Sequence, residues 1–275
     1  ICPRGRLIPL GVAGPIARSV QDLYLAMKVL VGADSNFQKA WSIKLPKSRA
    51  RVPSQLRVAV WYDDPFCAVD KETINAMKNM AKSLKDAGAK VVEDHPRDFS
   101  LEIQHIIYIG LLNEVMLFRS LHLDQLNDAM TVNYLKGRGG SKFVDYVEYQ
   151  MYQNRIQALW TQFFKNYDVL LAPTIMTPAF DHNHEPDFTK RHILVNGVKR
   201  DYFPDTLVWA GLTVLAHLPA TNVLTGFNSQ GLPLGMQIIG PYLEDMTTLF
   251  AAELCEQIMG GFVIPPIENL YRRAA

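Results

Sequence analysis

Cysteine is scarce in this sequence: only Cys2, Cys67 and Cys255 occur among 275 residues. Three are too few for a disulfide framework, and neither CxxC spacing nor a histidine at ligand spacing accompanies them, so a reducing, cytoplasmic compartment is expected. An excess of charge of either sign is also missing. With 28 Lys and Arg against 27 Asp and Glu, the formal charge is +1. No overall field exists to hold a polyphosphate or an anionic membrane surface, and nucleic acid is not an expected partner. Long apolar runs are missing too. The longest, Thr206 to Ala220, is interrupted by His217 and Pro219 and falls short of the ~20 residues a bilayer crossing needs. It reads as buried core, with no membrane span. The opening Ile1-Cys2-Pro3-Arg4-Gly5 offers neither an initiator Met nor a signal peptide, and the chain is expected to be a fragment.

Other absences narrow the chemistry. There is no GxSxG elbow, HExxH, GxGxxG or Walker loop, so the hydrolase, metalloprotease and nucleotide-binding signatures carried by short motifs are excluded. Gly139-Gly140-Ser141-Lys142 is the nearest approach to a phosphate cradle. It lacks the spacing and a preceding strand, and reads as a helix entry capped by Ser141. No internal repeat or low-complexity tract is visible.

What remains is 48% hydrophobic and 20% charged, enough to bury a sizeable core. The spacing predicts a helix capped by Ser19 with Val20, Leu23, Tyr24, Met27, Leu30 and Val31 on one face and Gly32 as its stop. Residues 33–55, with Lys44, Lys47, Arg49 and Arg51, read as a solvated linker. Leu56–Trp61 reads as a buried strand and Asp70 as the cap of a helix carrying Ile74, Met77, Ala81 and Leu84. Gly88 ends that helix and Ala89–Glu93 forms a second strand, completing the strand, helix, strand unit of a parallel sheet. The class is α/β. Helical patterns cover 100–121 and 142–166, the second with Tyr146, Tyr149, Tyr152, Trp160 and Phe163 as a packing stripe. Asp168–Ala172 is a compact strand ending in Pro173-Thr174, and 175–203 shows no clear period. A helix over 204–216, strands near 221–225 and 234–239, and a helix over 243–259 stopped by Gly260-Gly261 complete the pattern.

Three groups of residues carry chemistry on sight. Asp181-His182-Asn183-His184-Glu185, with Asp187 and His192, has ligand types for a divalent metal, but in a loop without defined spacing, and no metal is expected. His217, among apolar neighbours, reads as a hydrogen-bonded core histidine. Arg18, beside Ser19 and Asp22, reads as a structural anchor. Gly231 suits a turn needing positive φ, Pro233 the first position of a strand, and Gly235 a close backbone approach.

Three phrases resemble one family. Gly14-Pro15-Ile16-Ala17-Arg18-Ser19-Val20-Gln21-Asp22, then Leu171-Ala172-Pro173-Thr174, then Leu218-Pro219-Ala220-Thr221 with Gly226-Phe227 and Gly231-Leu232-Pro233-Leu234-Gly235-Met236-Gln237-Ile238-Ile239-Gly240-Pro241 are similar, in order, to the region downstream of the catalytic core in amidase signature hydrolases. The resemblance implies a mixed central sheet flanked by helices, with residues 1–275 as the C-terminal part of a single amidase domain. It also implies a Ser–cis-Ser–Lys triad that hydrolyses a carboxylic amide, or an ester, without cofactor or metal. All three triad residues would precede Ile1, so no catalytic residue is expected in this chain and its partner would be the N-terminal half of the same protein. The other readings are a glutaminase-type amidotransferase component with partner subunits, a homodimer, and a catalytically silent binding module of the same fold. Ligands gather at strand ends in open α/β sheets, so Thr174, Ile175, Met176 and Trp209 are the expected lining of a pocket for the small-molecule amide. The strands over 56–61, 168–172 and 234–239 should then pair or pack with strands encoded upstream.

Overall fold

The computed structural model describes residues 10–33, 35–120, 143–187 and 190–264, with side chains described for all of these except 113–120 and 143–146. The helix entry expected at Gly139–Lys142, and Cys2, lie outside the described residues.

Alternate residues of a strand point to opposite faces of a sheet, and here both sets are apolar. Val58 and Val60 of β1 (Arg57–Val60), Val169 and Leu171 of β3 (Val169–Pro173), and Met236 and Ile238 of β7 (Pro233–Ile239) join one buried cluster. Ala59, Leu170, Ala172 and Ile239 join the other. A sheet buried on both faces requires two covering layers. The first consists of α1 (Val20–Leu30), α2 (Lys71–Asp86) and α6 (Asp245–Met259). The second consists of α3 (Leu101–Ser120), α4 (Phe143–Phe163) and α5 (Leu212–Ala216).

With β2 (Lys90–Glu93) and β6 (Ala220–Phe227), the five-stranded order is β2-β1-β3-β7-β6. β1 runs parallel to β2 and β3, whereas β7 runs antiparallel to β3 and β6, so the sheet is mixed. The expected β1, α2, β2 unit is present. The strands expected to seek partners upstream, β1, β3 and β7, are each paired on both sides here, and among the described residues the open edges fall on β2 and β6.

Local chemistry sets several boundaries as the sequence predicts. The Ser19 hydroxyl accepts from the Asp22 amide at 3.1 Å and donates to its carboxylate at 2.8 Å, starting α1. Asp70 accepts from Glu72 and Thr73 at the start of α2. Gly88, Gly260 and Gly261 end their helices at φ +104, +78 and +87, values that L side chains resist. Trp160 and Phe163 of the aromatic stripe are buried, Tyr152 is exposed, and the Tyr146 side chain lies outside the described set.

Three expectations are corrected. Residues 192–201 form a hairpin of β4 (His192–Val195) and β5 (Val198–Asp201). Its turn is Asn196-Gly197 at φ +53 and +80, a two-residue pattern that matches strand twist. The helix expected over 204–216 is a 3-10 turn at Asp205–Leu207 followed by the short α5. Gly211 separates them where a Cβ would stand 2.8 Å from both the Leu207 carbonyl and the Tyr108 ring, so this corner excludes the side chains that favour a continuous helix. His217 is exposed and left-handed at φ +54, although its ring does meet Gln153 at 3.2 Å. Arg18 is an anchor through the Phe262 ring, 5.0 Å from its guanidinium.

The linker also departs from the solvated reading. Arg49 donates to both Glu244 oxygens at 2.5 and 2.6 Å and to the Phe164 and Tyr167 carbonyls at 2.6 and 3.2 Å. It stands 3.7 Å from Asp168, whose side chain is 4% exposed. Asp168 also accepts from the Arg57 amide at 2.9 Å and from its guanidinium at 3.2 and 2.6 Å. A carboxylate this buried is tolerable only when charge-paired and hydrogen-bonded, and this one fastens β1, β3 and the linker together. Asp168→Ala strands these donors. Because Arg57 is partly exposed, we expect a stability loss of about 2–3 kcal/mol, below the ~3–5 of a fully buried pair. Urea denaturation measures it, and a loss under about 0.5 kcal/mol, the size of an ordinary surface change, contradicts this role.

Candidate functional site at the carboxyl end of β3

Pairing aligns Ala172 of β3 with Gln237 of β7, and Gln237 with Asn222 of β6. Cross-strand partners share a face, so these three, together with Thr174 two residues on, lie on the side covered by α5. Gln237 is 3% exposed within an otherwise apolar strand end, and a buried carboxamide must be satisfied. Its nitrogen donates to the Pro173 carbonyl and to the Trp209 carbonyl, both at 2.8 Å. The last residue of β3 and the wall before α5 are thereby held to one point.

The surroundings are fixed in the same way. The Trp209 indole donates to the Cys67 carbonyl at 2.9 Å and packs edge-on against Trp61 at 5.2 Å. The Met176 carbonyl accepts from the Asp70 amide at 2.7 Å, tying the segment after β3 to the start of α2. Thr174 donates to the Asn222 carboxamide oxygen at 2.7 Å. Gly235, on the same face and exposed, leaves the floor without a side chain; a Cβ there would approach the Val223 carbonyl to 3.2 Å.

The four residues expected to line a pocket are brought to this one strand end. Thr174 and Ile175 are half-buried and present surface there, whereas Met176 and Trp209 are 0% exposed and form the packing beneath. Gln237, Asn222 and Gly235 are not singled out as site residues by sequence reasoning. The available signal is a lone amide side chain in the run Met236-Gln237-Ile238-Ile239, which demands a partner once the strand is buried.

Nearby, the Arg200 guanidinium pairs with Asp205 at 2.8 Å and donates to the Phe66 carbonyl at 3.2 Å. His105 of α3 is 7% exposed, its ring lies 5.9 Å from that of Phe66, and neither ring nitrogen has a hydrogen-bond partner among the described residues. Burial holds its pKa below the ordinary histidine value, against a smaller upward pull from Asp205. Burial also pushes the Cys67 thiol up to about 12, which removes it as a thiolate nucleophile at neutral pH.

His182 and His184 stand 6.0 Å apart, both exposed, and His192 instead meets Asp201 across the hairpin at 3.1 Å. Among the described residues no group of three or more His, Cys, Asp or Glu is arranged to hold a metal ion. A cleft of about 470 Å³, lined by Arg49, Phe164, Lys165, Leu218 and Tyr242 among others, lies beyond the carboxyl end of β7, at the other end of the sheet from Thr174. Its Arg49 is already committed to Glu244 and Asp168. A smaller hollow of about 260 Å³ opens among Phe180, His182, Arg191 and Tyr202. No helix of the described residues is long and apolar enough to cross a membrane.

The Amidase family profile matches residues 5–249. The chain belongs to the Amidase family. Its relatives include a glutamyl-tRNA(Gln) amidotransferase subunit from Rhodospirillum rubrum, 27% identical over 90% of this chain and 53% of that protein. The protein of the same name from Wolbachia pipientis (strain wPip) is 23% identical over 92% and 55%. Among solved structures, a bacterial aryl acylamidase of the amidase signature family shares the fold with a TM-score of 0.68 at 21% identity, over 89% of this chain and 52% of that one. The glutamyl-tRNA(Gln) amidotransferase subunit from Thermotoga maritima gives 0.62 at 20%, over 92% and 55%. This member of the Amidase family spans about half the length of the curated relatives it matches.

The buried imidazole of His105 generates a test. Because its folded-state pKa is depressed, the unfolded chain binds the proton first as pH falls, so stability is full above the ordinary histidine value and declines below it. His105→Leu removes this acid-side decline and relieves two unpaired ring nitrogens, raising stability by about 1–3 kcal/mol at neutral pH. Urea midpoints at about pH 5 and about pH 7.5 check both effects. A destabilised variant that keeps the full decline contradicts the assignment.

Proposed function

We propose that the protein to which these residues belong hydrolyses carboxylic amides, and that this chain supplies one wall of the substrate pocket at the carboxyl end of β3. The observation that carries the reading is the Amidase match over residues 5–249. In this reading an upstream lysine takes the proton of a bridging serine, which takes that of the nucleophilic serine as it attacks the amide carbonyl. Backbone amides hold the oxyanion, the amine leaves with a proton, and water releases the acyl group from serine. The residues of this chain position rather than react. Gln237 fixes the β3 end against Trp209, the packed Met176 and Trp209 exclude water from below, and Thr174 and Ile175 face the substrate. No cofactor enters, and the buried free thiols of Cys67 and Cys255 are in keeping with a reducing cytoplasmic setting.

A second reading has its own support. The relatives at 23% and 27% identity carry the name of an amidotransferase subunit, and a protein of that kind works with partner subunits and takes its amide from glutamine. Co-purification of a second polypeptide favours it; a single species, monomeric or homodimeric, that prefers other amides favours the hydrolase.

Amide bonds are inert without an activated nucleophile and oxyanion donors. The product of the complete reading frame is therefore expected to release p-nitroaniline from p-nitroacetanilide or ammonia from glutamine, and the 275-residue chain is expected to do neither. Turnover that follows the 275-residue chain through purification contradicts the division of labour, and a folded complete protein inert on every amide contradicts the function.

A further inference from the structure

The hydrogen-bond donors at the carboxyl end of β3 can be followed until they run out. The nitrogen of Gln237 is committed to two carbonyls, Pro173 and Trp209. The Thr174 hydroxyl is committed to the carboxamide oxygen of Asn222 at 2.7 Å. A carboxamide carries an acceptor oxygen and, on the other branch of a planar group, an NH₂ with two donors. With its oxygen held by Thr174, Asn222 has its NH₂ directed the other way, and that nitrogen meets no partner among the described residues. Of the three polar side chains that converge here, Asn222 alone has donors to offer.

Its setting is open. Asn222 and Ala220 lie on the same face of β6 as Gln237 does on β7 but are exposed, and Gly235 on the neighbouring strand is exposed on that face too. Thr174 and Asn222 thus bracket a shelf whose floor is backbone, with Ile175 beside it.

Resting on the amide reading above, we propose that Asn222 is a specificity-determining residue whose NH₂ donates to a second carbonyl oxygen of the substrate, apart from the scissile amide. In that reading backbone amides hold the scissile oxygen, so the Asn222 donors are left for another acceptor, and the preferred substrates are amides that carry one. Thr174 positions Asn222 by occupying its oxygen. A site built around such a donor discriminates against the analogue without the acceptor, because the donor is then left unpaired.

The probes are glutaramide, which has a second carbonyl, and hexanamide, which has a similar length and none. Both are assayed with the complete protein, as substrates or, if turned over too slowly, as inhibitors of p-nitroacetanilide hydrolysis. Asn222→Asp keeps the acceptor for Thr174 and loses the donors. It is expected to raise the KM or inhibition constant for glutaramide about tenfold or more, with kcat within about threefold and the hexanamide constant within about twofold. Asn222→Leu gives the same pattern without a new charge, and circular dichroism confirms that both variants fold. Equal response to the two probes, or none to either, overturns the assignment while leaving the amide reading intact. A wild-type protein that turns over no amide overturns both.

Discussion

One buried carboxamide holds the candidate site together. Gln237 lies in a buried strand between the apolar Met236 and Ile238, and it is stable there because its nitrogen reaches two backbone carbonyls at once, each at 2.8 Å. Those carbonyls belong to segments far apart in sequence, the end of β3 and the wall preceding α5. A hydrophobic side chain of similar size could fill the space but could not fix that distance. Thr174, Ile175 and Asn222 inherit their positions from this clasp, since a substrate-facing group is only as well placed as the packing and hydrogen bonds behind it.

The opposite end of the sheet is secured by charge rather than by a neutral amide. Asp168, just before β3, draws Arg57 and Arg49, and Arg49 reaches on to Glu244 at the start of α6. Strand β3 is thus held at both ends by polar groups and along its length by side chains that are fully buried. The charged end sits beside the larger cleft, but Arg49 and Arg57 there are already paired. The neutral end keeps the Asn222 donors at the surface, without a partner among the described residues.

Much of this is legible in the sequence, and the reasons differ by element. Val58, Val60, Val169 and Leu171 announce buried strands because both faces of the sheet are covered, and Ser19, Asp70, Gly88 and Gly260 mark helix ends by local chemistry. The β4, β5 hairpin escapes a reading by periodicity although Asn196-Gly197 between alternating residues is a strong turn signal; the ligand types of His182 and His184 just upstream point towards metal chemistry instead. The continuous helix over 204–216 fails because Gly211 answers to Tyr108, a contact made only in the folded chain. Arg49 looks like one more cation in a basic linker, and its partners lie more than a hundred residues away. Thr174 and Ile175 follow from the general rule for strand ends. Gln237 and Asn222 require the register of β3, β7 and β6, which a single sequence does not print.

The central claim, that Gln237 is the clasp of the site rather than a passenger in the core, is tested most directly by hydrogen–deuterium exchange on wild type and Gln237→Leu. If the clasp is real, peptides covering residues 173–177 and 208–212 exchange faster in the variant, while those covering β1 and α2 keep their protection. Unchanged exchange in both segments, or a uniform loss of protection across the whole chain, contradicts it.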